Sequence, residues 1–77
     1  MAARAQHKPA YRKLCRILRR LREAAGMTQR DLAEVLKMHN SMVHRSEIGD
    51  RRIDPVEFVA WCQACGADAK EVIGELQ

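Results

Sequence analysis

Aromatic residues are scarce in this chain: Tyr11, Phe58 and Trp61 make up 4% of it. Proteins that hold single-stranded nucleic acid stack bases on aromatic rings, so the scarcity argues against that class. Cysteine is sparse too. Cys15, Cys62 and Cys65 are an odd number and too few for a disulfide scaffold; in a reducing compartment they read as small buried apolar side chains. No apolar run approaches the roughly 18 residues of a membrane span, and no signal-peptide core is visible near the N-terminus. The expectation is a cytoplasmic protein without membrane contact. Proline and glycine are few, and no stretch alternates apolar and polar residues as a strand does. At 77 residues the chain has room for one small domain and none for a second catalytic or sensory module.

What is present is charge, unevenly spread. Residues 1–30 hold nine Lys/Arg and one acid, Glu23, a net +8; residues 31–77 hold five Lys/Arg and nine acids, a net −4. A basic face against an acidic remainder fits a nucleic-acid partner, and equally an acidic protein or an anionic surface. Residues 1–10 are polar and basic, ending in Lys8-Pro9, and are expected to form a flexible basic arm; a minor-groove role is the alternative to a plain tail.

From Tyr11 a helical period begins. Tyr11, Leu14, Leu18, Leu21 and Ala25, with Ile17 beside them, form one stripe. Arg12, Arg16, Arg19, Arg20 and Glu23 lie opposite, and Gly26 supplies the stop. Thr28 with Asp31 predicts a capping box, and Met27 with Leu32 a hydrophobic staple. The short helix that follows turns Leu32, Ala33, Val35 and Leu36 inward and ends in a turn at Lys37-Met38-His39. A third helix is predicted from about Asn40 to Ile48, stopped by Gly49, before the charged loop Asp50-Arg51-Arg52. Asp54-Pro55 opens a fourth, with a second box at Glu57 and a staple between Ile53 and Phe58. Its inward residues are predicted as Phe58, Val59, Cys62 and Cys65, up to Gly66. Asp68 with Glu71 predicts a third box and a last helix burying Val72, Ile73 and Leu76. The fold class is therefore all-α, with five helices, and residues 11–77 form the single domain.

Two short helices joined by a tight turn, between Thr28 and Gly49, suggest a helix-turn-helix. The stretch LRRLREAAGMTQRDLAEVL from Leu18 and SMVHRSEIG from Ser41 resembles the Cro/cI-type regulators, the lambda-repressor-like or XRE family. Arg22, Gly26, Met27, Thr28, Gln29, Leu32, Ala33, Leu36, Val43, Glu47 and Gly49 all fit that family's pattern, and the likeness covers roughly residues 12–76. It implies a regulator, most simply a repressor, that binds double-stranded DNA at a near-palindromic operator as a homodimer. It also implies that Arg22 pairs with Glu47. Helix 5 and Trp61 are the expected dimer surface.

Physical chemistry assigns roles within that reading. Gln29 sits at a helix N-terminus, whose free N–H groups favour a phosphate. Asn40, Ser41, His44 and Arg45 project from the third helix toward base edges, arginine suiting guanine and asparagine adenine. Arg51 and Arg52 are candidate phosphate contacts. Three departures from the family stand out. Lys37 replaces a glycine where the turn needs a left-handed residue. His39 replaces a Ser or Thr cap, so Asn40 is the alternative cap. Ser46 replaces an apolar residue that packs inward.

Trp61-Cys62-Gln63-Ala64-Cys65 has the spacing of a redox motif. It lies near a helix C-terminus, where the dipole raises thiol pKa, so packing is the preferred reading and redox sensing or metal binding the alternatives. His39 and His44 have no paired nucleophile or orienting carboxylate at a suitable spacing. No enzyme activity, cofactor or metal is expected. The competing function is a protein-interaction module built on the same fold.

Overall fold

Capping chemistry sets where the helices begin. The computed structural model describes residues 8–77. Among them are five helices: α1 (Pro9–Ala24), α2 (Gln29–Leu36), α3 (Asn40–Glu47), α4 (Pro55–Ala64) and α5 (Ala69–Gly74). The Thr28 box is complete: the Asp31 N–H donates to Thr28 Oγ1 and the Thr28 N–H to Asp31 Oδ2, each at 3.0 Å. The box at Asp54 closes the same way with Glu57, at 2.8 and 3.3 Å. The third predicted box does not form, and only a simple N-cap is left. Asp68 accepts from the Lys70 N–H at 2.9 Å, one residue short of Glu71. Its ψ of 114°, against 169° at Thr28 and Asp54, aims the carboxylate at the earlier N–H.

The predicted arm falls mostly on residues 1–7, which lie outside the described residues. Pro9 and Ala10 already belong to α1; proline suits a first helical turn, whose N–H groups lack partners anyway. Among the described residues no helix is long and apolar enough to cross a membrane.

Helix α3 packs on both α1 and α2, α2 on α4, and α4 on α5. The core they enclose holds Ile17, Leu18 and Leu21 of α1, Leu32 and Ala33 of α2, Val43 of α3, Phe58, Trp61 and Cys62 of α4, and Val72 of α5. Three inward assignments fail. Val35, Val59 and Ile73 are exposed, at 57%, 41% and 47%. On α4 the buried row is Phe58, Trp61 and Cys62, with Cys65 half-buried, a clean helical stripe that leaves Val59 off its edge. Trp61, expected on a dimer surface, is fully buried, and its Nε1–H donates to the Leu18 carbonyl at 3.1 Å. A buried indole finds a partner for its one donor, and α1 supplies it.

The turn between α2 and α3 uses the left-handed conformation that Lys37 was expected to strain. Lys37 has φ 57° and ψ 47°, whereas the end of α1 uses Gly26 at φ 75°. The Met38 N–H then reaches back to the Ala33 carbonyl at 3.0 Å, closing the helix end. The strain costs about 1–2 kcal/mol; a glycine would relieve it but lose about 0.4–1 kcal/mol of the gain to its freer unfolded state. Lys37→Gly is therefore expected to stabilise the fold by about 0.5–1 kcal/mol, read as a higher urea midpoint at unchanged slope.

Candidate nucleic-acid interface

The last turns of α1 and the end of α3 are joined by a buried ion pair. Arg22 Nε donates to Glu47 Oε2 at 2.6 Å and its Nη2 to Glu47 Oε1 at 3.1 Å, with side-chain exposures of 10% and 2%. Arg22 Nη1 also donates to the Met27 carbonyl at 2.9 Å, so one guanidinium holds both the α1–α2 turn and α3. The hydrogen bonds to Glu47 raise the Arg22 pKa further above its ordinary value. Gln29, the first residue of α2, adds a third strand to this knot: its Nε2 donates to Glu47 Oε1 at 3.0 Å and lies 3.3 Å from His44 Nδ1. The amide expected to face a phosphate is thus turned inward.

Helix α3 starts at Asn40, as predicted, and its cap lies at position 39 rather than at the alternative, Asn40. His39 is its N-cap, accepting from the Ser41 N–H on Nδ1 at 3.2 Å, and Ser41 Oγ lies 2.9 Å from the same nitrogen. Asn40, the alternative cap, is the first helical residue and half-buried. Ser46 is fully buried as its position requires. Its hydroxyl donates to the Met42 carbonyl at 2.8 Å and accepts from Arg51 Nη1 at 3.3 Å, which explains how a polar residue replaces an apolar one without an orphaned group.

With one face of α3 held this way, Ser41, His44 and Arg45 are exposed on the other. Arg45 has one loose partner, Asp50, at 3.6 Å between two solvent-exposed groups; such pairs contribute about 0–1 kcal/mol and open readily. The two loop arginines separate. Arg51 grips Glu57 bidentately at 3.2 and 2.6 Å, tying the loop to the start of α4. Arg52 is exposed, its guanidinium 5.3 Å above the Tyr11 ring. Tyr11 Oη accepts from the Ile53 N–H at 3.0 Å, so α1 pins this loop from behind. The inward Gln29 contact, the Arg51–Glu57 fork and the Tyr11 latch escaped sequence reasoning.

The structure also places the basic excess of the first half. Arg12, Lys13, Arg16, Arg19 and Arg20 are exposed on α1 rather than on α3. Arg19 pairs with Glu23, and Arg20 forms a bidentate contact with Glu75, the C-cap of α5, at 2.9 and 3.0 Å. Among the described residues no group of three or more His, Cys, Asp or Glu side chains gathers as metal ligands would.

The profile of the helix-turn-helix domain family matches residues 13–72. Among solved structures, an XRE-family like protein from Pseudomonas syringae pv. tomato str. DC3000 superposes with a TM-score of 0.85 and 35% identity, over 97% of this chain and 92% of that one. The clp gene regulator ClgR from Corynebacterium glutamicum superposes with a TM-score of 0.80 and 26% identity, over 90% of this chain and 73% of that one. No curated protein matches the chain.

Proposed function

Because the chain belongs to the XRE-type family of helix-turn-helix DNA-binding regulators, we propose that it is a cytoplasmic, sequence-specific repressor that lays α3 in the major groove of double-stranded DNA. The observation that carries this reading is the Arg22–Glu47–Gln29 knot. It clamps α3 from its inner side and leaves Ser41, His44 and Arg45 facing out together. Those three side chains, with Asn40 at the helix start, reach base edges; Arg52 and the N-terminus of α2 meet phosphates. Gln29 and Arg51 serve instead to position α3 and the loop behind it. Occluding polymerase at the operator is the simplest route from such binding to repression.

Replacing Arg45 by alanine is expected to weaken specific binding about 5- to 150-fold, the range of a lost bidentate base contact, and to relax the preference at one position per half-site. Fluorescence-anisotropy titrations against a duplex selected from a random pool would show it. Wild-type affinity should also fall steeply between low and moderate salt. Binding that ignores both salt and sequence would favour the protein-interaction alternative.

A near-palindromic operator calls for a two-fold dimer. With Trp61 buried, an apolar surface open to a second copy is the outer side of α4 and α5, where Val56, Val59 and Ile73 are 79%, 41% and 47% exposed. These line adjoining shallow grooves that share Pro55 and Val59. Val59→Glu is expected to leave the fold intact and shift sedimentation from dimer to monomer; an unchanged dimer would move the interface elsewhere.

A further inference from the structure

We propose that Gln29 fixes His44 in its Nε2–H tautomer, so that His44 is a donor-only reader that selects guanine and rejects cytosine at the position it meets. This deepens the regulator reading above and rests on it.

The argument starts from an acceptor of unambiguous chemistry. Arg22 donates to both oxygens of Glu47, so both act as acceptors. The atom of Gln29 lying 3.0 Å from Glu47 Oε1 is therefore the amide nitrogen, which settles the orientation of an amide that shape alone would leave open. That same nitrogen lies 3.3 Å from His44 Nδ1. Its two hydrogens serve two acceptors, one on Glu47 and one on the imidazole. A hydrogen on Nδ1 would set donor against donor, so Nδ1 carries the lone pair and the ring hydrogen sits on Nε2. The Nδ1 side faces Gln29 within the knot, and His44 is exposed. What the ring offers DNA is thus the Nε2–H.

A donor on the reading face distinguishes bases in the major groove. Guanine presents two acceptors, N7 and O6; adenine pairs its N7 with an opposing amino donor; thymine has one acceptor; cytosine has only its amino group. The expected order at this position is guanine first and cytosine last. The start of α3 shows the same arrangement. His39 Nδ1 accepts from the Ser41 N–H, so that ring too carries its hydrogen on Nε2. Arg45 beside them is a donor as well, and the face as a whole is built to meet acceptors.

Two independent readouts test this. In the first, nitrogen-detected imidazole spectra of the free protein at pH 8 should show His44 as Nε2–H. Gln29→Met, which keeps the length and loses the donor, should let the Nδ1–H form appear, with amide spectra confirming that the variant folds. A wild-type ring hydrogen on Nδ1 overturns the proposal. In the second, guanine→cytosine at one position per half-site of the selected operator should cost the wild type roughly tenfold, the size of one hydrogen bond. It should cost His44→Ala less than about twofold, since no bond remains to lose. His44→Lys, a donor-only side chain, should recover the guanine preference, and His44→Glu should shift it toward cytosine. Cytosine preferred by the wild type overturns the proposal. If the wild type prefers no duplex over random DNA, the regulator reading fails, and the spectra alone decide the tautomer.

Discussion

Glu47→Ala is expected to destabilise the protein by about 3–5 kcal/mol, because it leaves the Arg22 guanidinium buried without its counter-charge. A domain this small rarely has more than about 3–5 kcal/mol in hand, so the variant should be largely unfolded at 25 °C by circular dichroism. The loss is larger than a typical ion pair because Glu47 accepts from Gln29 as well as twice from Arg22. Removing the charge from both sides is a different experiment. Arg22→Met with Glu47→Leu replaces the pair by apolar volume, and such swaps are often neutral or stabilising. The double variant should fold close to wild-type stability and still bind DNA poorly, since Gln29 has lost its anchor. A double variant as unstable as the single one would show that the Met27 carbonyl, also served by Arg22, is the dominant contact.

Trp61→Ala should cost about as much, 3–5 kcal/mol, for another reason. Trp61 is fully buried at the centre of α4 and packs in the core shared by α1, α2 and α3. Truncation leaves a void that Phe58 and Cys62 cannot fill without moving backbone. Trp61→Phe should cost less, about 1–3 kcal/mol, by forfeiting the bond to the Leu18 carbonyl and part of the volume. Val59→Ala, two residues away but exposed, should change stability by less than about 1 kcal/mol. Urea melts followed by circular dichroism separate the three. Equal losses at positions 59 and 61 would contradict the inward face described for α4.

The helix starts were legible because capping is local: Thr28 with Asp31 and Asp54 with Glu57 satisfy each other across three residues, and side-chain type alone announces them. The left-handed turn at Lys37 was reached through the family resemblance, which has a glycine at that position. The inner face of α4 was not. Its sequence is apolar nearly all round, so periodicity could not choose between Val59 and Trp61; the Leu18 carbonyl chose. Arg51 read as a phosphate contact from its place just after the third helix. The structure shows Glu57 Oε1 accepting from both Arg51 and the Asp54 N–H. Gln29 illustrates the wider limit. Its spacing to Glu47 and His44 carries no local signature, so its side-chain direction depended on the packing of α2 against α3. The Arg22–Glu47 pair, 25 residues apart, was reached only through the family resemblance.

The cysteines lead to a practical consequence. Burial pushes the thiols of Cys15, Cys62 and Cys65 up from their ordinary value, and Cys15 and Cys62 lie out of solvent reach. Only a thiolate attacks an alkylating reagent, so in the closed molecule those two sulfurs react slowly. Each labelling event at Cys15 or Cys62 therefore records an opening of the native state. In excess reagent the labelling rate becomes a clock for breathing motions under native conditions, with no denaturant and no added dye.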